Sequence, residues 1–108
     1  MDALRREFWS AISALFPKEA SATQLDSGVM VITYPMPTET RPNRLSHEVS
    51  VVFEQRAVSE MAASEPADRG RLASNAAKSV QRQLKTYDPY DEGPKPFLII
   101  VDEVSMGR

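Results

Sequence analysis

Four positively charged side chains and one amide recur at helical spacing in the second half of the chain, and their chemistry suits phosphate binding. This basic stripe comprises Arg71, Asn75, Lys78, Arg82 and Lys85, separated by steps of four, three, four and three residues. At about 100° per residue they lie within roughly 80° of arc on one helix face. Arginine binds phosphate with a planar fork of donors and lysine as a point charge. The spacing predicts a helix face that can follow a nucleic-acid backbone.

Two interpretations of the basic stripe stay open at this level. Surface charge on an amphipathic helix usually serves solubility, which makes a plainly solvated face the general interpretation. A binding face is favoured by the charge pattern, because no Asp or Glu lies between Arg69 and Tyr87, whereas solubilising helices commonly mix signs to form i,i+4 pairs. Arg41 and Arg44 lie in a proline-containing loop, and we expect them to extend the basic patch.

No catalytic or metal-binding motif accompanies these cations. Asp88, Asp91 and Glu92 form an acidic cluster, but they lack the alternating ligand spacing of a calcium loop. His47 is the only histidine and the chain has no cysteine, so thiolate and paired-histidine metal sites are excluded. Neither a nucleophile elbow nor a glycine-rich phosphate loop occurs. We predict a protein that is not an enzyme and uses no metal, other cofactor or small-molecule ligand.

The composition is typical of one soluble globular domain. The 108 residues are 42% apolar and 26% charged, and this length is too short for two full cores. The formal net charge of −2 gives no global basic field, so nucleic-acid binding would depend on a local patch. Residues 97–101, the longest apolar run, fall far short of the ~20 residues of a membrane span. Charges near the start argue against a secretory signal, so we expect a bacterial cytoplasmic protein without membrane contact.

Helical periodicity covers two parts of the chain. Residues 4–16 form an amphipathic pattern that ends at Pro17, which cannot continue a helix. Residues 55–87 form a second pattern interrupted near Pro66 and Gly70. One bent helix and two separate helices both fit this interruption. Two helices are favoured, because proline suits the opening turn of a helix.

Three segments have the character of β-strands. Residues 29–34 are rich in β-branched and aromatic side chains. Residues 45–53 alternate, with Leu45 on the predicted buried side, and should pair with residues 29–34 as an antiparallel hairpin. Residues 97–101 are apolar at every position and are predicted to form a buried central strand.

These elements predict an α+β fold with two layers in the order α-β-β-α-α-β. The three-stranded mixed sheet would carry its helices mainly on one face. Residues 1–104 would form the single domain, followed by a flexible tail at residues 105–108. Because residues 29–34 and 97–101 are apolar on both sides, such a sheet would expose an apolar face, which usually indicates a partner. The alternative is that the first helix crosses to that face and covers it.

The predicted order of elements is similar to that of the type II KH domain, a fold of bacterial RNA-binding and ribosome-associated proteins. The resemblance is one of topology and covers residues 4–101. KH domains clamp the nucleic-acid backbone with a Gly-x-x-Gly loop between two helices, whereas this chain has one glycine, Gly70, at that junction. In other respects the chain resembles short bacterial proteins of uncharacterised families. The similarity to the KH domain implies RNA as the ligand.

Two functional hypotheses follow from the sequence. The first is a non-enzymatic interaction domain that binds RNA through the basic stripe, with Arg41 and Arg44 as further contacts. The second is a protein-interaction or structural module that binds a partner, or a second copy of itself, through an apolar sheet face.

Overall fold

The computed structural model describes residues 1–107, and within this range the elements follow the order α-β-β-β-α-α-β. The helices are α1 (Ala3–Ile12), α2 (Gln55–Ala63) and α3 (Pro66–Gln83). The strands are β1 (Ser21–Gln24), β2 (Met30–Thr33), β3 (Val49–Phe53) and β4 (Phe97–Val101). Short 3-10 turns, Ser13–Leu15 and Leu84–Thr86, follow α1 and α3.

The strands of residues 1–107 form one four-stranded mixed sheet in the order β1-β2-β3-β4. β1, β2 and β3 form an antiparallel meander, and β4 lies parallel to β3 after the crossover through α2 and α3. The α+β class is therefore confirmed. The predicted three-stranded sheet and the order α-β-β-α-α-β are wrong, because a strand precedes the predicted hairpin.

The strand that was not predicted is β1, whose polar sequence is typical of a connector. Its residues are polar apart from Ala22, so no alternation of apolar side chains indicates a strand. Backbone pairing defines it instead: the N–H of Leu25 donates to the carbonyl of Val29 at 2.8 Å and closes a hairpin with β2. Gly28 occupies this turn with a φ of 90°, a conformation that glycine adopts without steric cost.

A β-bulge separates the predicted alternation of residues 45–53 into two halves. Two register pairs bracket it: Ile32 with Val49, and Pro35 with Leu45. Three steps along one strand (35 − 32) thus oppose four along the other (49 − 45), which reverses the faces of the side chains beyond the bulge. Leu45, predicted as buried, is 57% exposed, and Ser46 is buried instead. The Ser46 hydroxyl accepts the backbone N–H of Tyr34 at 3.0 Å.

The helices cover one face of the sheet and form the core with it. Phe8 of α1 is fully buried, and its ring meets Phe53 of β3 edge to face with 4.9 Å between centroids. Leu72 and Val80 of α3 are also fully buried. Residues 55–87 form two helices, as favoured above, because Pro66 opens α3 where its missing N–H costs nothing.

The strand β4 was predicted to lie in the centre of the sheet, and this prediction is wrong. β4 is an edge strand that pairs only with β3 in residues 1–107. Its odd-numbered residues Ile99 and Val101 are fully buried under α3, whereas Leu98 is 56% exposed and Ile100 is 37% exposed. The apolar outer positions of β4 are therefore not explained by burial within the chain.

The segment after β4 packs onto the domain. Met106 is fully buried in the core, in contrast to the flexible tail predicted for residues 105–108. The turn that places Met106 is held by Asp102, whose carboxylate accepts the N–H of Ser105 at 2.7 Å. That bond holds the pKa of Asp102 below its usual value. Gly107 closes the turn, donating to the Val104 carbonyl at 3.0 Å. Arg108 lies outside the described residues.

Candidate functional site

Most of the basic stripe lies on the outer face of α3, opposite the sheet, and Lys85 lies in the 3-10 turn that follows this helix. Its four cations, Arg71, Lys78, Arg82 and Lys85, are all exposed, and Asn75 is half-buried at the margin of the helix. The spacing therefore places these residues on one helix face, as the sequence predicts.

Two members of the stripe already have partners within the fold. The Asn75 amide donates to the carbonyl of Met106 at 3.2 Å, so it holds the segment after β4 against α3. The Arg71 guanidinium lies 3.5 Å from the carboxylate of Asp68, three residues earlier on the same helix. No hydrogen bond or ion pair connects the side chain of Lys78, Arg82 or Lys85 to a residue in the range 1–107. These three cations are the part of the stripe available to an anionic ligand.

Arg41 and Arg44 both have acidic partners within the fold. Both form ion pairs with Glu92 of the connector before β4, Arg44 at 3.5 Å. The hydrogen bond from Arg41 and then the nearby charges of both arginines lower the pKa of Glu92. Arg44 also lies over the ring of Tyr90, with its guanidinium carbon 5.3 Å from the centroid. The structure thus uses these arginines to tie the 37–44 loop to the connector.

A polar cleft of about 490 Å³ lies between this loop and the connector. His47 lines it, with its imidazole Nε2 3.9 Å from a carboxylate oxygen of Asp91. The backbone of His47 is also held, because its N–H donates to the Pro89 carbonyl at 2.8 Å and its carbonyl accepts the Tyr87 hydroxyl. Arg41 and Glu92 lie opposite and neutralise each other.

The acidic side chains near the cleft are engaged in turns. In residues 1–107 no three His, Cys, Asp or Glu side chains are grouped so that they could hold a metal ion. Asp88 and Asp91 accept the backbone N–H groups of Tyr90 and Gly93, so the acidic cluster stabilises turns. Tyr34 lies outside the cleft lining. Burial, and then the neighbouring Tyr87, raises the pKa of its phenol to about 12.

The sheet has a second face, the open face, with no helix against it in the described part of the chain. Its centre is formed by the apolar residues Val31, Val52, Leu98 and Ile100 together with the polar Ser50, which pairs with Val31 on one side and Leu98 on the other. Strand alternation places Leu25 and Leu45 at its two ends, and these side chains are 48% and 57% exposed. Four of the exposed large apolar side chains in residues 1–107 therefore lie on this one face of the sheet: Leu25, Leu45, Leu98 and Ile100. Apolar residues scattered singly over a surface need no explanation, but a cluster of this kind does.

The outer edge of β4 is partly closed by a side chain. The Gln83 amide donates to the carbonyl of Ile100 at 3.0 Å and accepts the Ile100 N–H at 3.0 Å. Gln83 thereby occupies the two backbone groups that an added strand would use at this position. Pro96, directly before β4, offers no N–H to a neighbouring strand.

The ends of the open face are acidic. Glu48 precedes β3, Glu54 follows β3 and Asp102 follows β4, each in step with the outward positions of its strand. Glu48 and Glu54 are exposed and form no ion pair with the described residues. Asp102 is ionised at neutral pH, as an aspartate of ordinary pKa is, and the Ser105 hydrogen bonds lower its pKa further. No lysine or arginine occupies an outward strand position in residues 1–107. These three carboxylates form the acidic rim.

Comparisons with protein-family models, with curated proteins and with solved structures found no match to this chain. Within residues 1–107, no helix combines the length and apolar character needed to cross a membrane. Apolar residues on both sides of the strands indicated the open face in the sequence. The positions of Leu25 and Leu45 were missed because they depend on β1 and on the bulge.

Proposed function

We propose that this chain is a non-enzymatic interaction domain that binds a protein partner through the open face of its sheet. The observation that carries the proposal is the exposure of Leu98 and Ile100 on an edge strand whose residues Ile99 and Val101 are fully buried. An edge strand with only one covered face needs polar residues on the other. Apolar residues there are explained when a partner removes them from water.

The size of the open face suits a weak, reversible interaction. Strand spacing and rise give a surface of about 20 × 19 Å, or roughly 400 Å². Covering it at about 25 cal/mol per Å² gives at most roughly 10 kcal/mol. The loss of translational and rotational freedom on association costs about 4–15 kcal/mol. We therefore expect an affinity in the micromolar range or weaker, with further contacts needed for a tighter complex.

Photocrosslinking tests this proposal directly. A benzophenone-bearing amino acid would replace Leu98 on the open face or, as the matched control, Val104 in the turn after β4. Val104 is also apolar and is 78% exposed. In cells that express the chain, we expect a strong protein adduct at position 98 and background at position 104. Mass spectrometry of the adduct would identify the contacting segment.

The adduct also separates the versions of the hypothesis. One recurrent segment of another protein at position 98 supports the proposal, and a segment of this same chain would assign the surface to self-association. Equal adducts at positions 98 and 104 would mean that the open face does not select a partner, and the proposal would be abandoned.

We also propose RNA binding through α3 as a second candidate, which one observation favours. Lys78 and Arg82 on α3 and Lys85 in the 3-10 turn that follows are exposed, and their side chains have no partner in residues 1–107. The proposal now depends on charge alone, because the element order behind the KH resemblance differs from that of the structure.

Fluorescence anisotropy of a labelled single-stranded RNA at several salt concentrations tests this second candidate. Three phosphate contacts predict a log–log slope of about −2 for a single strand. The Lys78→Gln/Arg82→Gln/Lys85→Gln variant should bring the slope close to zero. A control variant, Lys18→Gln/Arg56→Gln/Lys95→Gln, removes equal charge elsewhere and should keep it. Equal slopes for the two variants would eliminate the stripe as the binding site.

A further inference from the structure

We infer that the partner segment on the open face is an amphipathic helix whose apolar stripe is flanked by lysine or arginine. This inference rests on the proposed function and adds the chemistry of the partner. Three kinds of occupant fit an apolar sheet face: an added strand, a second copy of this chain, and a helix of another protein. The edge, the acidic rim and the area of the face distinguish among them.

The edge of β4 disfavours an added strand. Strand addition needs a row of free backbone groups along the edge. In β4 the groups of Phe97, Ile99 and Val101 point toward β3, which leaves those of Leu98 and Ile100 pointing outward. Gln83 occupies the outward pair of Ile100. Only the outward pair of Leu98 stays open within β4, so the edge beside Leu98 and Ile100 offers an added strand few backbone partners.

The acidic rim disfavours a second copy. In a two-fold symmetric face-to-face pair, Glu54 and Asp102 would meet either their own equivalents or Glu48 of the other copy, depending on the direction of the axis. Both arrangements bring carboxylates together, and the described outward positions offer no cation to compensate. The face, roughly 400 Å², is also smaller than the ~800 Å² per subunit of a stable dimer.

A helix with basic flanks satisfies both the shape and the charge of the surface. Helices α1 and α3 already pack on the opposite face, which demonstrates that this sheet accepts helical ridges. A helix that crosses the strands covers the ~19 Å width of the face in about three and a half turns, so its two sides face the two strand ends. An apolar stripe would cover Val52, Leu98 and Ile100, and cationic flanks would lie beside Glu48 and Glu54.

Two labelled model peptides test the inference with the full chain. Both are amphipathic helices with the same leucine and alanine stripe, one with lysine flanks and the other with glutamate flanks. We expect the lysine-flanked peptide to bind at least about tenfold more tightly, which corresponds to about 1.4 kcal/mol. Leu98→Lys should weaken that binding by about tenfold, because it places a cation within the apolar surface. The control Val104→Lys adds the same charge outside the face and should leave the affinity within about twofold.

A charge reversal distinguishes the rim from general attraction. The double variant Glu48→Lys/Glu54→Lys should remove or invert the preference for lysine flanks. Circular dichroism would verify that this double variant and Leu98→Lys are folded. Equal affinity for the two peptides, with loss in Leu98→Lys, would overturn the basic-flank inference and leave the proposed function intact. Lysine-peptide binding that Leu98→Lys does not weaken, or binding of neither peptide, would also overturn it. The photocrosslinking experiment at position 98 tests the proposed function independently of these peptides.

Discussion

Phe8→Ala should lower the free energy of unfolding by about 3–5 kcal/mol, the range for a buried phenylalanine in a packed core. Phe8 is fully buried at the centre of the contact between α1 and the sheet. Truncation removes the edge-to-face contact with Phe53 and leaves a cavity that the rigid sheet cannot collapse to fill. Since single domains are stable by only about 5–15 kcal/mol, the variant is expected to be marginally folded. Urea denaturation followed by circular dichroism measures the change.

The control for this prediction lies two residues away on the same helix. Ser10 is exposed on the opposite side of α1, and its hydroxyl bonds only the helix backbone, at Arg6. Ser10→Ala should change the free energy of unfolding by no more than about 0.5 kcal/mol. A loss below about 1 kcal/mol in Phe8→Ala would contradict the packing described for α1, because core truncations at such sites cost more.

Met106→Ala should cost about 2–5 kcal/mol of unfolding free energy, the range for a buried methionine. The sequence pattern alone predicts almost no effect, because it places this residue in a flexible tail. The structure instead buries the Met106 side chain completely, and the Asn75 amide holds its backbone carbonyl against α3. The same denaturation experiment therefore decides between the two descriptions of the segment after β4.

Val104→Ala is the matched control for Met106→Ala. Val104 lies in the same turn but is 78% exposed, so its truncation should stay within about 0.5 kcal/mol. If both variants were as stable as the parent chain, the segment would be unpacked in solution, as the sequence pattern predicts. A large loss in Met106→Ala alone would establish this segment as part of the core.

Periodicity indicated the elements whose apolar side chains define a face. The helices α1 and α3 and the strand β3 have such periodic patterns, whereas β2 and β4 were indicated by continuous apolar runs rich in β-branched residues. β1 has no such pattern. Backbone bonds to β2 and the Gly28 turn hold it, and a polar sequence such as that of β1 does not reveal backbone pairing.

The candidate surfaces were predictable in type but not in position. The two-sided apolar character of residues 97–101 indicated an exposed apolar face, although β4 was expected in the centre of the sheet. Sequence spacing placed Arg71 and Asn75 in the basic stripe but contained no information on their partners. The Met106 carbonyl approaches Asn75 only after the chain folds, and Arg41 and Arg44 meet Glu92 across about 50 residues of sequence.

The amide of Gln83 has a consequence for how this protein behaves at high concentration. Fibrils with a cross-β structure grow when strands add to an open edge, and apolar side chains on the sheet then stack into dry interfaces. This sheet carries such side chains at Leu98 and Ile100. The Gln83 side chain occupies the backbone N–H and carbonyl of Ile100, so another strand cannot use them to add to the edge of β4. The apolar side chains of β4 are therefore carried on an edge where strand addition is hindered.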